Sequence, residues 1–214
     1  LEALRMANKQ SISGILYSAV GIGIFSSSIF IFLYTQAQTW KATWIILGVV
    51  ALMAGIIILT SMKNNPSISI HTTSSNQNPG KALNRAFIIS FSIAYFFEGA
   101  GYIVTGTFLV ALIKTIPAYA DYAALSWMFV GLGAMPATLI WSLFAEKFGY
   151  KKAIYSALIL QIISVGLPIF SHHMLGLIIA SMLFGATFLG LTTLFMSKSQ
   201  ELMYYTNQKL NLVS

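Results

Sequence analysis

The sequence predicts an all-α polytopic membrane protein with six transmembrane helices, and three observations predict it. First, 57% of the 214 residues are hydrophobic and 8% are charged, whereas soluble domains contain about 25% charged residues. Second, the mean hydropathy is +0.79. Third, six apolar runs are each close to the length of about 20 residues that crosses a bilayer as a helix. The lipid bilayer is therefore an expected partner.

The six spans follow one another with polar segments between them. They run from about residues 12 to 34, 42 to 62, 86 to 113, 122 to 145, 153 to 170 and 174 to 196. Glycines in the first, fourth and sixth spans predict close helix packing, because small residues let helix backbones approach. Trp40 and Trp44 are placed as interfacial belt residues. Pro136 predicts a bend in the fourth span, because its ring removes an internal hydrogen bond.

The basic residues predict the topology. With six spans both ends lie on one side, and ten basic residues fall there: Arg5, Lys9, Lys63, Lys81, Arg85, Lys147, Lys151, Lys152, Lys198 and Lys209. Only Lys41 and Lys114 fall on the other side. By the positive-inside rule the first side, with both ends, is cytoplasmic. The net charge of +7 therefore reflects topology, and we expect no nucleic-acid partner.

The third span is the most informative for function, because it contains a carboxylate, Glu98, near its middle. An ionisable group at that depth costs about 2.5 to 3.5 kcal/mol on insertion scales, so it normally faces a protein interior or a water-filled cavity. Tyr95, Glu98, Tyr102 and Thr105 are spaced by three and four residues, which places them on one stripe of a helix. We therefore expect Glu98 to point inward.

The loop between the fourth and fifth spans carries the most specific motif. Its residues are Ser142-Leu-Phe-Ala-Glu146-Lys147-Phe-Gly149-Tyr-Lys151-Lys152. This resembles the loop motif of the major facilitator superfamily, Gly-x-Leu-Ala-Asp-Arg-x-Gly-Arg-Arg or Lys. Ser142 stands at the first Gly, Glu146 at the Asp and Lys147 at the Arg, while Gly149 and Lys151 fit the pattern.

Two longer stretches strengthen the resemblance. YFFEGAGYIVTGTFLVA resembles the first helix of the second half in the YbfB/YjiJ-type branch of that superfamily, and GILYSAVGIGIF with TWKATWIILG resembles the fifth and sixth helices. The resemblance implies a partial major-facilitator-type fold, helices five to ten of twelve. Residues 1–62 would hold the last two helices of the N-terminal half, 63–85 the central cytoplasmic linker, and 86–214 the first four helices of the C-terminal half. We therefore expect a piece of a longer chain, whose remaining helices would be partners of this segment.

The resemblance further implies a secondary active transporter of a small solute in the cell inner membrane, working by alternating access and coupled to protons or ions. On this interpretation Tyr95, Glu98, Tyr102 and Thr105 line the substrate or proton pathway. One hypothesis is that Glu98 couples proton movement to transport, because burial disfavours the charged form of a carboxyl group. The alternative is that Glu98 stays protonated and bonds a neighbouring helix.

A second hypothesis concerns the loop motif, Ser142, Glu146, Lys147, Gly149, Lys151 and Lys152. By the inverted-repeat logic of such transporters, Glu146 is expected to approach the N-terminus of the first span, near Ser11 to Gly14, and to stabilise one conformational state through the helix dipole. The alternative is a solvated charged turn that only sets topology.

Other candidates are weaker. His71, His172 and His173 lie in loops without a neighbouring carboxylate, so we expect no metal site. Gln161 is more readily explained by bonding between helices than by substrate binding. No paired carboxylate, zinc motif or serine elbow indicates an enzyme, and no cofactor is expected. The functional alternative to a transporter is a non-transporting membrane scaffold or assembly subunit.

Overall fold

The computed structural model describes residues 10–35, 40–63, 85–171 and 173–210. This part of the chain is helical and contains no β-strand. Its six long helices are α1 (Gln10–Thr35), α2 (Trp40–Lys63), α3 (Arg85–Lys114), α4 (Leu125–Phe148), α5 (Tyr150–Phe170) and α6 (Met174–Leu210). All six are long and apolar enough to cross a membrane, which confirms the predicted fold class.

Three helices differ from the predicted spans by three or more residues at an end, and one of them, α5, begins at Tyr150 and not near Ala153. The fourth span begins at Leu125 because the preceding residues form a short 3-10 turn, Ala120–Tyr122. The sixth span does not end with its apolar run near Met196 but continues as α6 to Leu210. Hydropathy marks where a helix leaves the hydrocarbon core, whereas the backbone hydrogen bonds that define a helix also form in water, so the two boundaries need not coincide.

The chain divides into two compact units, residues 1–29 with 81–214 and residues 30–80, and the division falls inside α1. In the first unit the core lies between α4, α5 and α6. The axis of α4 approaches α6 closely at two glycines: a Cβ atom at Gly133 would meet the Met182 carbonyl, and one at Gly185 would meet the Val130 carbonyl. Such direct backbone contact holds membrane helices together by van der Waals packing.

A tryptophan completes the contact between α4 and α6. The Trp141 ring lies against Gly190, where no other residue type leaves room for it. Its Nε1–H donates a hydrogen bond of 2.8 Å to the Ala186 carbonyl. On α5, the Ser164 hydroxyl donates to the Ala180 carbonyl of α6 at 2.8 Å. Both bonds join neighbouring helices in an environment that offers no water as an alternative partner.

The first helix also crosses α4 closely. A Cβ atom at Gly21 would meet the backbone of Met135, and one at Gly131 would meet the backbone of Phe25. The hydroxyl groups of Ser18 and Thr138 are 3.2 Å apart, in hydrogen-bond distance. The close packing predicted for glycines of the first, fourth and sixth spans is therefore found at Gly21, Gly131 and Gly185, but not at Gly23, where a Cβ atom would meet no described residue within 4 Å.

The second unit contains α2. Most of its apolar side chains are exposed, including Trp40 and Trp44 near its first turn, as expected of a helix that meets lipid. The predicted linker at 63–85 and the central histidine, His71, lie almost wholly outside the described residues.

Candidate functional site

The candidate site lies on the stripe of α3 that contains Glu98. The Glu98 side chain is only 5% exposed, whereas its neighbours Phe96 and Phe97 are 68% and 67% exposed. Tyr95, Tyr102 and Thr105 are half-buried. The spacing of three and four residues thus separates a polar stripe, buried at Glu98 and half-buried elsewhere, from an exposed apolar face on the same helix.

Aromatic pairs attach α3 to α6 on both sides of Glu98. About one turn before it, the Tyr95 ring packs on Phe195 with ring centroids 5.1 Å apart. About one turn after it, the Tyr102 ring packs on Phe188 at 5.7 Å. These contacts are within the range of favourable aromatic pairs. Because the helices meet at these rings, they determine which face of α3 is buried.

The Glu98 carboxyl itself has no partner among the described residues. Both oxygen atoms are buried, and neither forms a hydrogen bond with a residue that the structure describes. In the same part of the chain no lysine or arginine forms an ion pair with it. Leaving a buried polar group without a partner costs about 1 to 3 kcal/mol, and more if it is charged. Such a group in a folded protein requires an explanation, and a functional one is common.

One residue of this region was missed by the sequence analysis. Tyr17 of α1 lies near Tyr95 of α3. Tyr17 belongs to an apolar run in which a tyrosine is unremarkable by sequence. Its hydroxyl-bearing ring could be recognised as part of the site only from the packing of α1 in the bundle.

Thr105 is the least connected member of the predicted stripe. Its hydroxyl donates a hydrogen bond of 3.0 Å to the Gly101 carbonyl of its own helix. This is the usual way in which a threonine satisfies its donor inside a helix. Gly99 and Gly101, beside the stripe, make no close contact with another helix in the described part of the chain, and Gly106 touches only the Trp127 ring.

The loop motif forms a tight connection between α4 and α5. Gly149 has a φ of +88°, which side chains other than glycine rarely adopt. Its N–H donates to the Ala145 carbonyl at 2.8 Å, and its own carbonyl accepts from the Ala153 N–H at 3.1 Å. The glycine thus ends one helix and begins the next without a longer loop.

The charged residues of the motif lie on the surface around this turn. Glu146, Lys147, Lys151 and Lys152 are exposed, and Ser142 is half-buried on α4. The Lys147 ammonium lies 5.2 Å from the centre of the Phe148 ring. Glu146 has no hydrogen bond or ion pair with another described residue, so its side chain is free to meet a partner from solvent or from another conformation.

The family of the chain can now be stated, because a family model described as "Uncharacterised MFS-type transporter YbfB" matches residues 1–213. The chain belongs to this family. Searches of curated proteins and of solved structures gave no match. Membership supports a multi-pass membrane transporter that handles a small solute, and it favours a transporter over an enzyme or a scaffold. It thereby confirms the superfamily that the loop motif and the α3 stretch indicate by resemblance.

Two remaining polar candidates lie apart from Glu98 in the chain. The Gln161 side chain of α5 is buried, and its Oε1 atom has no hydrogen-bond partner in the described part of the chain. The Oε1 atom therefore does not make the inter-helix bond predicted for Gln161, whereas Ser164, one turn later, donates a bond to the Ala180 carbonyl of α6. His173 is exposed, and His172 lies outside the described residues. Within those residues no three potential metal ligands lie together.

Proposed function

We propose that this member of the YbfB-type family is a secondary active transporter that moves a small solute by alternating access, and that Glu98 couples the movement to protons. The observation that carries the proposal is the buried Glu98 carboxyl, whose two oxygens lack partners in the described part of the chain. Protonation or deprotonation of a carboxyl group in such a site changes the free energy of the protein by a large amount. Its protonation can therefore be linked to a conformational change.

The alternative role for Glu98 is a permanent inter-helix hydrogen bond. A protonated carboxyl in that role would donate to an acceptor on a neighbouring helix, in the way that Ser164 donates to Ala180. No described residue accepts such a bond from Glu98. The geometry therefore supports coupling over a purely structural role.

The orientation and the domain organisation are parts of the same proposal. We place the protein in the cell inner membrane with both ends of this segment in the cytoplasm, because ten of its twelve basic residues fall on that side. The resemblance to the family supports α1 and α2 as the end of one half of the transporter and α3 to α6 as the start of the other.

The loop motif is proposed to stabilise one conformational state through Glu146. α1 and α4 run antiparallel where they cross. Ser18 contacts Thr138 and Phe25 contacts Gly131, so the two contacts are separated by the same number of residues on each helix, in opposite chain directions. Continued towards the cytoplasmic ends, this register brings Glu146 level with Gln10 and Ser11, the first residues of α1. A carboxylate next to a helix N-terminus is stabilised by about 0.3 to 1 kcal/mol.

Proton coupling can be tested in proteoliposomes that contain the intact protein and a trapped pH-sensitive dye. Amino acids, sugars, carboxylates and organic amines are added one class at a time across an imposed pH gradient. We expect at least one class to move protons with the wild-type protein. We expect Glu98→Gln to abolish that proton movement, whereas the control Asp121→Asn, which removes an exposed carboxylate in the 3-10 turn, leaves it intact.

A result in which Glu98→Gln transports the same solute with unchanged pH dependence would remove Glu98 from the coupling step. Proton-independent transport by the wild-type protein would contradict proton coupling as a whole.

A further inference from the structure

The proton-coupling role of Glu98 does not account for the aromatic rings around it. Tyr95 and Tyr102 lie about one turn before and after Glu98 on α3, and Tyr17 of α1 lies near Tyr95. All three tyrosines are half-buried. The face of an aromatic ring is negative and attracts cations, by about 0.5 to 2 kcal/mol depending on solvation.

The charges around the site also favour a cation. The titratable groups near Tyr95 are Glu98 and Tyr102 from its own helix and Tyr17 from α1. The α6 residues that pack beside Tyr95 and Tyr102 are the apolar rings of Phe195 and Phe188. No described lysine or arginine pairs with Glu98. The carboxylate and the ring faces together form a region of negative potential without a counter-ion from the described part of the chain.

A bound solute would have to match this potential. An anion would be repelled by the Glu98 carboxylate, and a neutral solute would leave a buried carboxylate without compensation. A cation with apolar or aromatic substituents would pair with the carboxylate, contact the ring faces and bury its own apolar surface against the same walls.

We propose that the site formed by Glu98, Tyr95, Tyr102 and Tyr17 binds a monovalent organic cation that carries apolar or aromatic groups. This inference rests on the proposed transport function and names its substrate class. Binding of the cation and protonation of Glu98 exclude each other, since one carboxyl group serves both.

The test compares two probes of similar size and opposite charge, tetraphenylphosphonium and tetraphenylborate, by equilibrium dialysis against the purified intact protein. We expect saturable binding of tetraphenylphosphonium and no saturable binding of tetraphenylborate. Glu98→Gln is expected to weaken tetraphenylphosphonium binding at least tenfold, and Asp121→Asn is expected to leave it unchanged. Tyr102→Leu is expected to weaken it several-fold, whereas Tyr102→Phe, which keeps the ring, restores binding.

Equal binding of the two probes, or unchanged tetraphenylphosphonium affinity in Glu98→Gln, overturns the proposal. Should Glu98→Gln fail to fold, the charge preference of the wild-type protein decides the question alone. If Glu98 proves essential for proton coupling but the wild-type protein binds neither probe, the substrate class is wrong and the proposed function stands. If the cation binds through Glu98 while transport keeps its pH dependence in Glu98→Gln, the site stands and the coupling role fails.

Discussion

The contact between α4 and α6 and the contact of α3 with the same two helices are built in different ways. The first brings backbone against backbone at Gly133 and Gly185 and adds a hydrogen bond from Trp141. The second joins helices through side-chain rings, around a carboxyl group that has no partner among the residues described by the structure. Direct backbone packing leaves little freedom to move, whereas ring contacts can slide and exchange. We infer that α4 and α6 form the fixed part of this unit and that α3 is the helix that responds to a ligand.

The two regions are expected to differ most in the loss of stability when a glycine in each is replaced by leucine. Gly185→Leu places a side chain against the Val130 carbonyl and is expected to lower the free energy of unfolding by about 3 kcal/mol or more, because overpacking of backbone cannot be relieved by a rotamer change. Gly101→Leu is the matched control, since a Cβ atom there meets nothing within 4 Å. Its expected effect is below about 1 kcal/mol, because it lies away from tight packing. Thermal unfolding in detergent measures both, and similar losses in the two variants would contradict the distinction.

A smaller loss is expected from Trp141→Phe. The substitution removes the donor to the Ala186 carbonyl and leaves a gap beside Gly190. A lost buried hydrogen bond costs about 1 to 3 kcal/mol. Trp44→Phe is the control, because Trp44 is 72% exposed. Denaturation by sodium dodecyl sulfate, followed by far-ultraviolet circular dichroism, should separate the two variants, and an equal shift would show that the Trp141 bond contributes nothing.

The Glu98 region is expected to respond in the opposite direction. Glu98→Leu replaces a buried group that has no described partner by an apolar one, so stability is expected to rise by about 1 kcal/mol while proton-coupled transport is lost. A gain of stability with a loss of activity is typical of a functional site. Unfolding and transport measured on the same preparation test this, and a destabilised variant would reveal a partner that holds Glu98 in place.

The smallest effect is expected at the loop motif. Glu146→Gln removes the charge that is proposed to meet the N-terminus of α1 and should shift the conformational equilibrium by about 0.3 to 1 kcal/mol, with little change in stability. The chain contains no cysteine, so spin labels can be attached to cysteines introduced at Ser11 and Lys151. Double electron–electron resonance then reports the distance distribution between them. An identical distribution in Glu146→Gln and the parent would favour the topology-only role of the loop.

Much of the architecture could be predicted from hydropathy. The six spans can be predicted because each must offer a nearly continuous apolar surface to lipid. That requirement makes each span recognisable as a long apolar run in the sequence. The burial of Glu98 followed from the same reasoning, because a carboxylate on the lipid side is too costly. The continuation of α6 to Leu210 left no such signal, because its end lies in a polar stretch.

The contacts within the site were less predictable. Tyr17 and Tyr95 are far apart in the chain, and nothing in the local sequence distinguishes Tyr17 from a belt tyrosine. The glycines show the same limit: Gly21 and Gly101 are alike in sequence, but only Gly21 touches another backbone.

By itself, the amino-acid sequence determined the number of spans, the polar stripe on α3 with its buried Glu98, and the glycine turn at Gly149. Each of these depends on local chemistry: the cost of polar groups in lipid, the helical period of 3.6 residues, and a backbone angle that favours glycine. Only the tertiary structure decided that Tyr17 lies near Tyr95, that Trp141 bonds Ala186 and that no described residue bonds Glu98. Those facts depend on how helices distant in sequence pack, and in a bilayer many apolar faces compete for the same neighbours.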